Sequence, residues 1–88
     1  MSMVKVEVYT QAWCPYCARA LQLLRAKGVE VTEIKAQHGT AERAESVRRS
    51  GGHTTVPQIF IDGRGIGGCD DLVALERAGG LDPLLQAA

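Results

Sequence analysis

Val4-Lys5-Val6-Glu7-Val8-Tyr9, then Trp13-Cys14-Pro15-Tyr16-Cys17, then Ala18-Arg19-Ala20-Leu21-Gln22-Leu23-Leu24: this run decides the fold. Val4, Val6 and Val8 alternate with Lys5, Glu7 and Tyr9, the period of two that a half-buried strand requires. Past the cysteines the period changes. Cys17, Ala20, Leu21 and Leu24 recur at helical spacing, while Arg19, Gln22 and Arg25 fall on the other side, so an amphipathic helix is predicted. Lys27-Gly28 closes it with a cation and a C-terminal glycine. The two cysteines lie at the strand-to-helix junction.

The same reading extends outward. Val29 to Ile34 is a second, β-branched strand, and Gly39-Thr40 opens a second helix with Glu42 in its first turn and Arg48 and Arg49 in its last. Ser50-Gly51-Gly52 ends that helix. Pro57 to Ile61 is the most apolar strand signal, and Asp62-Gly63 turns it into a short fourth strand around Gly65 to Gly67. Asp70 or a neighbour caps a third helix through Ala78, Gly79-Gly80 stops it, and Asp82-Pro83 opens a final helical piece. The order is β-α-β-α-β-β-α, with the first two strands parallel and the last two an antiparallel hairpin. An α/β fold is expected: a four-stranded mixed sheet with helices on both faces, formed by residues 1–88 as one domain.

Ten basic and ten acidic side chains cancel. No global field points to nucleic acid or an anionic membrane, and no apolar run is long enough to span a bilayer. Met1-Ser2-Met3-Val4-Lys5-Val6 lacks the apolar stretch of a signal peptide, so cytoplasmic residence is expected.

A pair of cysteines two residues apart can be a structural disulfide, half of a metal site or a reactive thiol pair. The chain has three cysteines, an odd number and a sparse one for a disulfide framework. A structural zinc ion takes four ligands. Besides Cys14 and Cys17 the chain offers Cys69, His38 and His53, none in a second paired spacing. Helix register favours reactivity. Two core cysteines would both lie on the apolar stripe, yet only Cys17 does. Cys14 falls at the N-cap and Pro15 at the first helical position, where a missing N–H costs nothing. N–H groups of the following turn and the helix dipole both stabilise a thiolate at the cap. A free thiol titrates near about 8.5 and falls to roughly 3.5–7.5 in such settings. Cys14 is then the nucleophile of thiol–disulfide exchange and Cys17 the resolving thiol.

Three blocks, Cys14-Pro15-Tyr16-Cys17, Thr54-Thr55-Val56-Pro57-Gln58-Ile59-Phe60 and Ile66-Gly67-Gly68-Cys69-Asp70-Asp71-Leu72, give the chain a close resemblance to the dithiol glutaredoxins, most of all the small bacterial type. The likeness runs to the closing Gly79-Gly80-Leu81-Asp82-Pro83-Leu84-Leu85. It implies a thioredoxin-like fold, a redox-active Cys14–Cys17 disulfide, no bound cofactor or metal, and glutathione as reducing cosubstrate. It also implies a cis Val56–Pro57 bond that exposes the Val56 backbone to pair with the cysteinyl unit of glutathione. The start of the last long helix would hold the γ-glutamyl end through backbone N–H groups and an Asp carboxylate. The implied glutathione-binding set is Gln11, Tyr16, Thr55, Val56, Pro57, Gly68, Cys69, Asp70 and Asp71. Implied partners are disulfide-bonded or glutathionylated proteins and, indirectly, glutathione reductase, with the chain acting as a monomer.

Two positions depart from the family's pattern. Gln11 stands where the family often carries a lysine facing the nucleophile and the glycyl carboxylate; a neutral amide supplies no field, which predicts weaker glutathione affinity. His53 replaces the basic residue often found before Thr-Thr-Val-Pro, with Arg49 a candidate substitute. Cys69 is expected to be a buried packing thiol, with a secondary site of glutathionylation or oxidation as the alternative, and His38 a solvated loop residue. Two other functions remain open on sequence: an iron–sulfur carrier bridging a cluster across a dimer, and a redoxin reduced by thioredoxin reductase to serve ribonucleotide reductase. Pro15 and the competing Cys17 disfavour the first; the Gly67-Gly68-Cys69-Asp70 glutathione end disfavours the second.

Overall fold

The computed structural model describes residues 4–86. Its elements follow the expected order: β1 (Val6–Thr10), α1 (Pro15–Ala26), β2 (Val31–Lys35), α2 (Ala41–Arg49), β3 (Gln58–Ile61), β4 (Arg64–Gly67), α3 (Cys69–Arg77) and α4 (Leu81–Gln86). The sheet runs β2-β1-β3-β4, with β1 parallel to β2 and the β3–β4 hairpin antiparallel. Asp62 and Gly63 both take positive φ, 50° and 79°, as a two-residue hairpin turn of the primed type demands.

Period-two alternation divides the sheet into two faces. Val6 pairs with Ile61 and Val8 with Ile59, and all four are buried with Leu24 of α1, Leu72 of α3 and Leu81 and Leu85 of α4 in the larger core. Tyr9 and Phe60 point to the opposite face, with Ala36 and Ile34. There Tyr9 meets Phe60 edge-on, and the Arg49 guanidinium of α2 lies 4.1 Å from the Phe60 ring centre. That second layer is closed by a cation–π contact. Lys27, at the end of α1, donates to Glu76 at 2.6 Å and Asp82 at 2.8 Å, tying α1 to α3 and α4.

Several boundaries differ from expectation. Val4 keeps the alternation and packs on the core, yet the paired strand begins at Val6, where its partners Val31 and Ile61 begin. For the same reason β2 starts at Val31 and not Val29. The cap of α3 is Gly68, not Asp70: the Asp71 carboxylate reaches back to accept the Gly68 N–H at 3.0 Å, fixing the turn one step earlier. Helix α4 begins at Leu81, ahead of Asp82-Pro83, leaving Pro83 within its first turn.

Register brings the three sequence blocks to one end of the sheet. The end of β1 lies beside the start of β3, Tyr9 against Gln58, and the end of β4 lies beside them, Gly67 against Ile59. The loop carrying Cys14, the Val56–Pro57 segment and the start of α3 therefore converge.

Candidate active site

Cys14 caps α1 from an extended backbone, φ −114° and ψ 98°, and Pro15 opens the helix. Its sulfur accepts the Cys17 backbone N–H at 3.2 Å, and its carbonyl accepts the first helical bond, from Ala18, at 3.1 Å. Cys14 is half-buried; Cys17 faces the core and is 3% exposed. The two are joined as a disulfide with their α-carbons 5.2 Å apart. One sulfur at a helix tip and the other one turn inside is the asymmetry that thiol–disulfide exchange needs, because attack from outside can reach only the first. Trp13, 99% exposed in a left-handed conformation with φ 59°, and Tyr16, 58% exposed, flank the outer sulfur.

A cleft of about 400 Å³ opens beside the disulfide. Tyr16, Thr55, Val56, Pro57, Gly68, Cys69, Asp70 and Asp71 all line it, with His53, Gln58 and Gly67. The Val56–Pro57 bond is cis, and the Val56 carbonyl oxygen lies 4.0 Å from Cys14 Sγ. Close packing shapes the far wall: a β-carbon on Gly68 would stand 3.4 Å from the Pro57 carbonyl oxygen. The orphan N–H groups of the first turn of α3 and the carboxylates of Asp70 and Asp71 end the cleft.

Gln11 is the expected site residue that the structure places elsewhere. It lines a second groove, on the Cys14 and Trp13 side, together with Glu33 and Lys35. There hydrogen bonds from Lys35 and then Thr10 hold the Glu33 carboxyl below the usual carboxylate range. Arg49 does not line the cleft itself: its guanidinium donates to Glu7, at 3.0 Å, and to the Tyr9 hydroxyl, at 3.0 Å. His53 lines the cleft, and His38 is exposed in a turn. The residue that sequence reasoning missed is Arg43, whose guanidinium donates to Gln11 Oε1 at 2.9 Å and to the Thr54 carbonyl at 2.8 Å. One signal for it existed. Arg43, Ser46, Val47 and Ser50 share one face of α2 at helical spacing, so a charge sits on the stripe that meets the sheet.

A family model described as Glutaredoxin matches residues 6–66. Glutaredoxin 3 of Escherichia coli (strain K12) is 57% identical over 84 residues, 96% of this chain and 100% of that protein. The chain belongs to the glutaredoxin family. Among solved structures, the solution structure of a glutaredoxin from Brucella melitensis is 55% identical with a TM-score of 0.83, covering 98% of this chain and 92% of that one. A buckwheat glutaredoxin–glutathione complex is 30% identical with a TM-score of 0.80, covering 93% and 76% respectively. The fold is thioredoxin-like, and the chain is a thiol–disulfide oxidoreductase.

Cys69, as expected, is a buried packing thiol in the main core. Burial pushes its titration up, opposed by Arg19 and reinforced by Asp70. A raised thiol pKa leaves less thiolate at any given pH, and Cys69 is buried where Cys14 is only half-buried, so Cys69 is expected to alkylate more slowly than Cys14 in reduced protein near neutrality. Mass spectrometry of peptides after a brief iodoacetamide pulse checks this; label at Cys69 ahead of Cys14 would contradict it.

Proposed function

We propose that the chain reduces protein disulfides and glutathione mixed disulfides at the expense of glutathione, with Cys14 as nucleophile and Cys17 as resolving thiol. The observation that carries this reading is the Cys17 N–H bonded to the half-buried Cys14 sulfur at the cap of α1.

In the dithiol mode, the Cys14 thiolate attacks one sulfur of a substrate disulfide. A bond forms between Cys14 Sγ and that sulfur, the substrate S–S bond breaks, and the other sulfur leaves as a thiolate that takes up a proton. Cys17, deprotonated, then attacks Cys14 Sγ, closing the internal disulfide and releasing the second substrate thiolate. One glutathione thiolate reopens that disulfide at Cys14, and a second attacks the bound glutathionyl sulfur, leaving as oxidised glutathione and returning both thiols. In the monothiol mode, Cys14 takes the glutathionyl group directly from a modified protein, and a glutathione thiolate removes it.

The cleft suits a tripeptide thiol. The Val56 N–H and C=O can pair with the cysteinyl backbone as one strand adds to another, Tyr16 and Pro57 supply apolar walls, and Thr55 offers a polar rim. The first-turn N–H groups of α3 suit the γ-glutamyl carboxylate, and Asp70 and Asp71 suit its ammonium. The buckwheat relative, solved with glutathione, supports this ligand. Cytoplasmic residence as a monomer, fed by a glutathione pool and glutathione reductase, fits the same reading.

Turnover of a glutathionylated small disulfide with glutathione, coupled to glutathione reductase, is the test. Saturable consumption of reductant that depends on the protein is expected. Activity with thioredoxin reductase and none with glutathione would replace this reading with the redoxin alternative.

A further inference from the structure

Among the described residues the exposed large hydrophobic side chains are Trp13, at 99%, and Tyr16, at 58%. Tyr16 lines the cleft assigned above to glutathione, whereas Trp13 lines the second groove, of about 450 Å³, together with Cys14. Packing within the chain does not account for Trp13. Full exposure forfeits the contacts of the largest side chain, and φ 59° is a backbone that bulky residues rarely adopt. The loop is nevertheless anchored, because the Ala12 N–H donates to Gln37 Oε1 at 2.7 Å. An indole shown to water on an anchored loop is a contact residue for another surface.

The groove has a charge as well as an aromatic rim. Pro15, Ala18 and Leu21 supply apolar lining, with Glu33 and Lys35 beside them. Glu33 is answered inside the chain: its carboxylate accepts from Thr10 Oγ1 at 2.8 Å and Lys35 Nζ at 3.0 Å, with Arg25 at 3.9 Å. One carboxylate thus meets two cations. The Lys35 side chain is 68% exposed, and Glu33 takes one of the three donors of its ammonium. The first cleft carries the opposite sign, with Asp70 and Asp71 in its lining. A segment bearing an acidic side chain is therefore attracted to the Trp13 side of Cys14 and repelled from the other.

We propose that the groove between Trp13 and Lys35 docks the protein part of the substrate. Its occupant is an extended segment with an apolar side chain beside the reacting cysteine, laid on Trp13 and Leu21, and a nearby acidic side chain paired with Lys35. The inference rests on the glutathione reading above. When the substrate is a glutathionylated protein, its glutathionyl unit fills the first cleft, so the protein that carries it must lie outside that cleft, and Cys14 lines this groove.

The test uses two glutathionylated peptides of equal length, each with leucine beside the cysteine, one continuing in glutamates and the other in lysines. Their kcat/KM values are measured alongside that of the glutathionylated small disulfide. Wild-type protein is expected to favour the acidic peptide about fivefold at low salt, the worth of a good exposed ion pair, and less in high salt. Lys35→Glu is expected to invert the preference; a ratio taken within one protein cancels whatever the substitution does to Cys14. Trp13→Asn, whose side chain tolerates the left-handed backbone, should lower kcat/KM for both peptides about tenfold relative to the small disulfide. Preference of the wild type for the basic peptide would put the segment against Asp70 and Asp71 and overturn the proposal. A ratio that Lys35→Glu leaves unmoved, or a Trp13→Asn variant that slows peptides and small disulfide alike, overturns it too. An unmoved ratio with a raised KM for glutathione would assign the groove to a second glutathione instead. Turnover of the small disulfide without discrimination between the peptides removes this inference alone, whereas no turnover of the small disulfide removes the glutathione reading and this inference with it.

Discussion

Cys14→Ser is expected to reduce turnover to background with both glutathionylated substrate and a protein disulfide, a loss of at least about a thousandfold, because no other group can form the mixed disulfide. Cys69 is no substitute, being 4% exposed in the main core. Cys17→Ser should split the two modes. Its backbone N–H, the donor to Cys14 Sγ at 3.2 Å, survives the substitution, as do Pro15 and the rest of the helix terminus. Thiolate stabilisation at Cys14 is therefore retained and deglutathionylation continues, while reduction of protein disulfides through an internal disulfide is lost. Steady-state assays of both variants with both substrates decide the matter. Deglutathionylation by Cys14→Ser would remove Cys14 as nucleophile, and its loss in Cys17→Ser would mean that the inner sulfur does more than resolve.

The asymmetry behind that prediction is legible in the sequence itself. Cys17 shares helical spacing with Ala20, Leu21 and Leu24, all buried in the structure, whereas Cys14 precedes the first turn. Spacing along one helix reports which side chains share a face, and the core obeys it. Strand ends were less legible because alternation reports burial and not pairing: Val4 is packed on the core but has no partner in the register of β1. The start of α3 is legible only to within a residue or two, because a carboxylate three residues beyond the cap, on Asp71, fixes it at a glycine with no side chain of its own. Arg43 lay furthest from reach. Its partners are 7, 11 and 32 residues away, and two of those acceptors are backbone carbonyls that look alike in every sequence. Only the fold brings Gln11, Ala36 and Thr54 around one guanidinium.

Gly67→Ala is expected to damage the opposite end of the cleft. Gly67 takes φ 109°, where a side chain is strained, and a β-carbon there would collide with the Asp71 carboxylate. The backbone strain alone costs on the order of 1–3 kcal/mol, which for a domain of this size lowers the melting temperature by roughly 4–8 °C per kcal/mol. The collision adds a functional cost. Asp71 must leave the Gly68 N–H that it accepts at 3.0 Å, so the first turn of α3 loses its cap and the cleft loses the placement of one carboxylate. KM for glutathionylated substrate should rise about tenfold, equivalent to roughly one charge-assisted hydrogen bond. Gly63→Ala is the control. That residue also has positive φ, 79°, but a β-carbon there meets nothing within 4 Å, so it should lower stability and leave KM unchanged. If Gly67→Ala and Gly63→Ala lose stability alike and neither moves KM, the start of α3 is a structural cap alone and the γ-glutamyl end binds elsewhere.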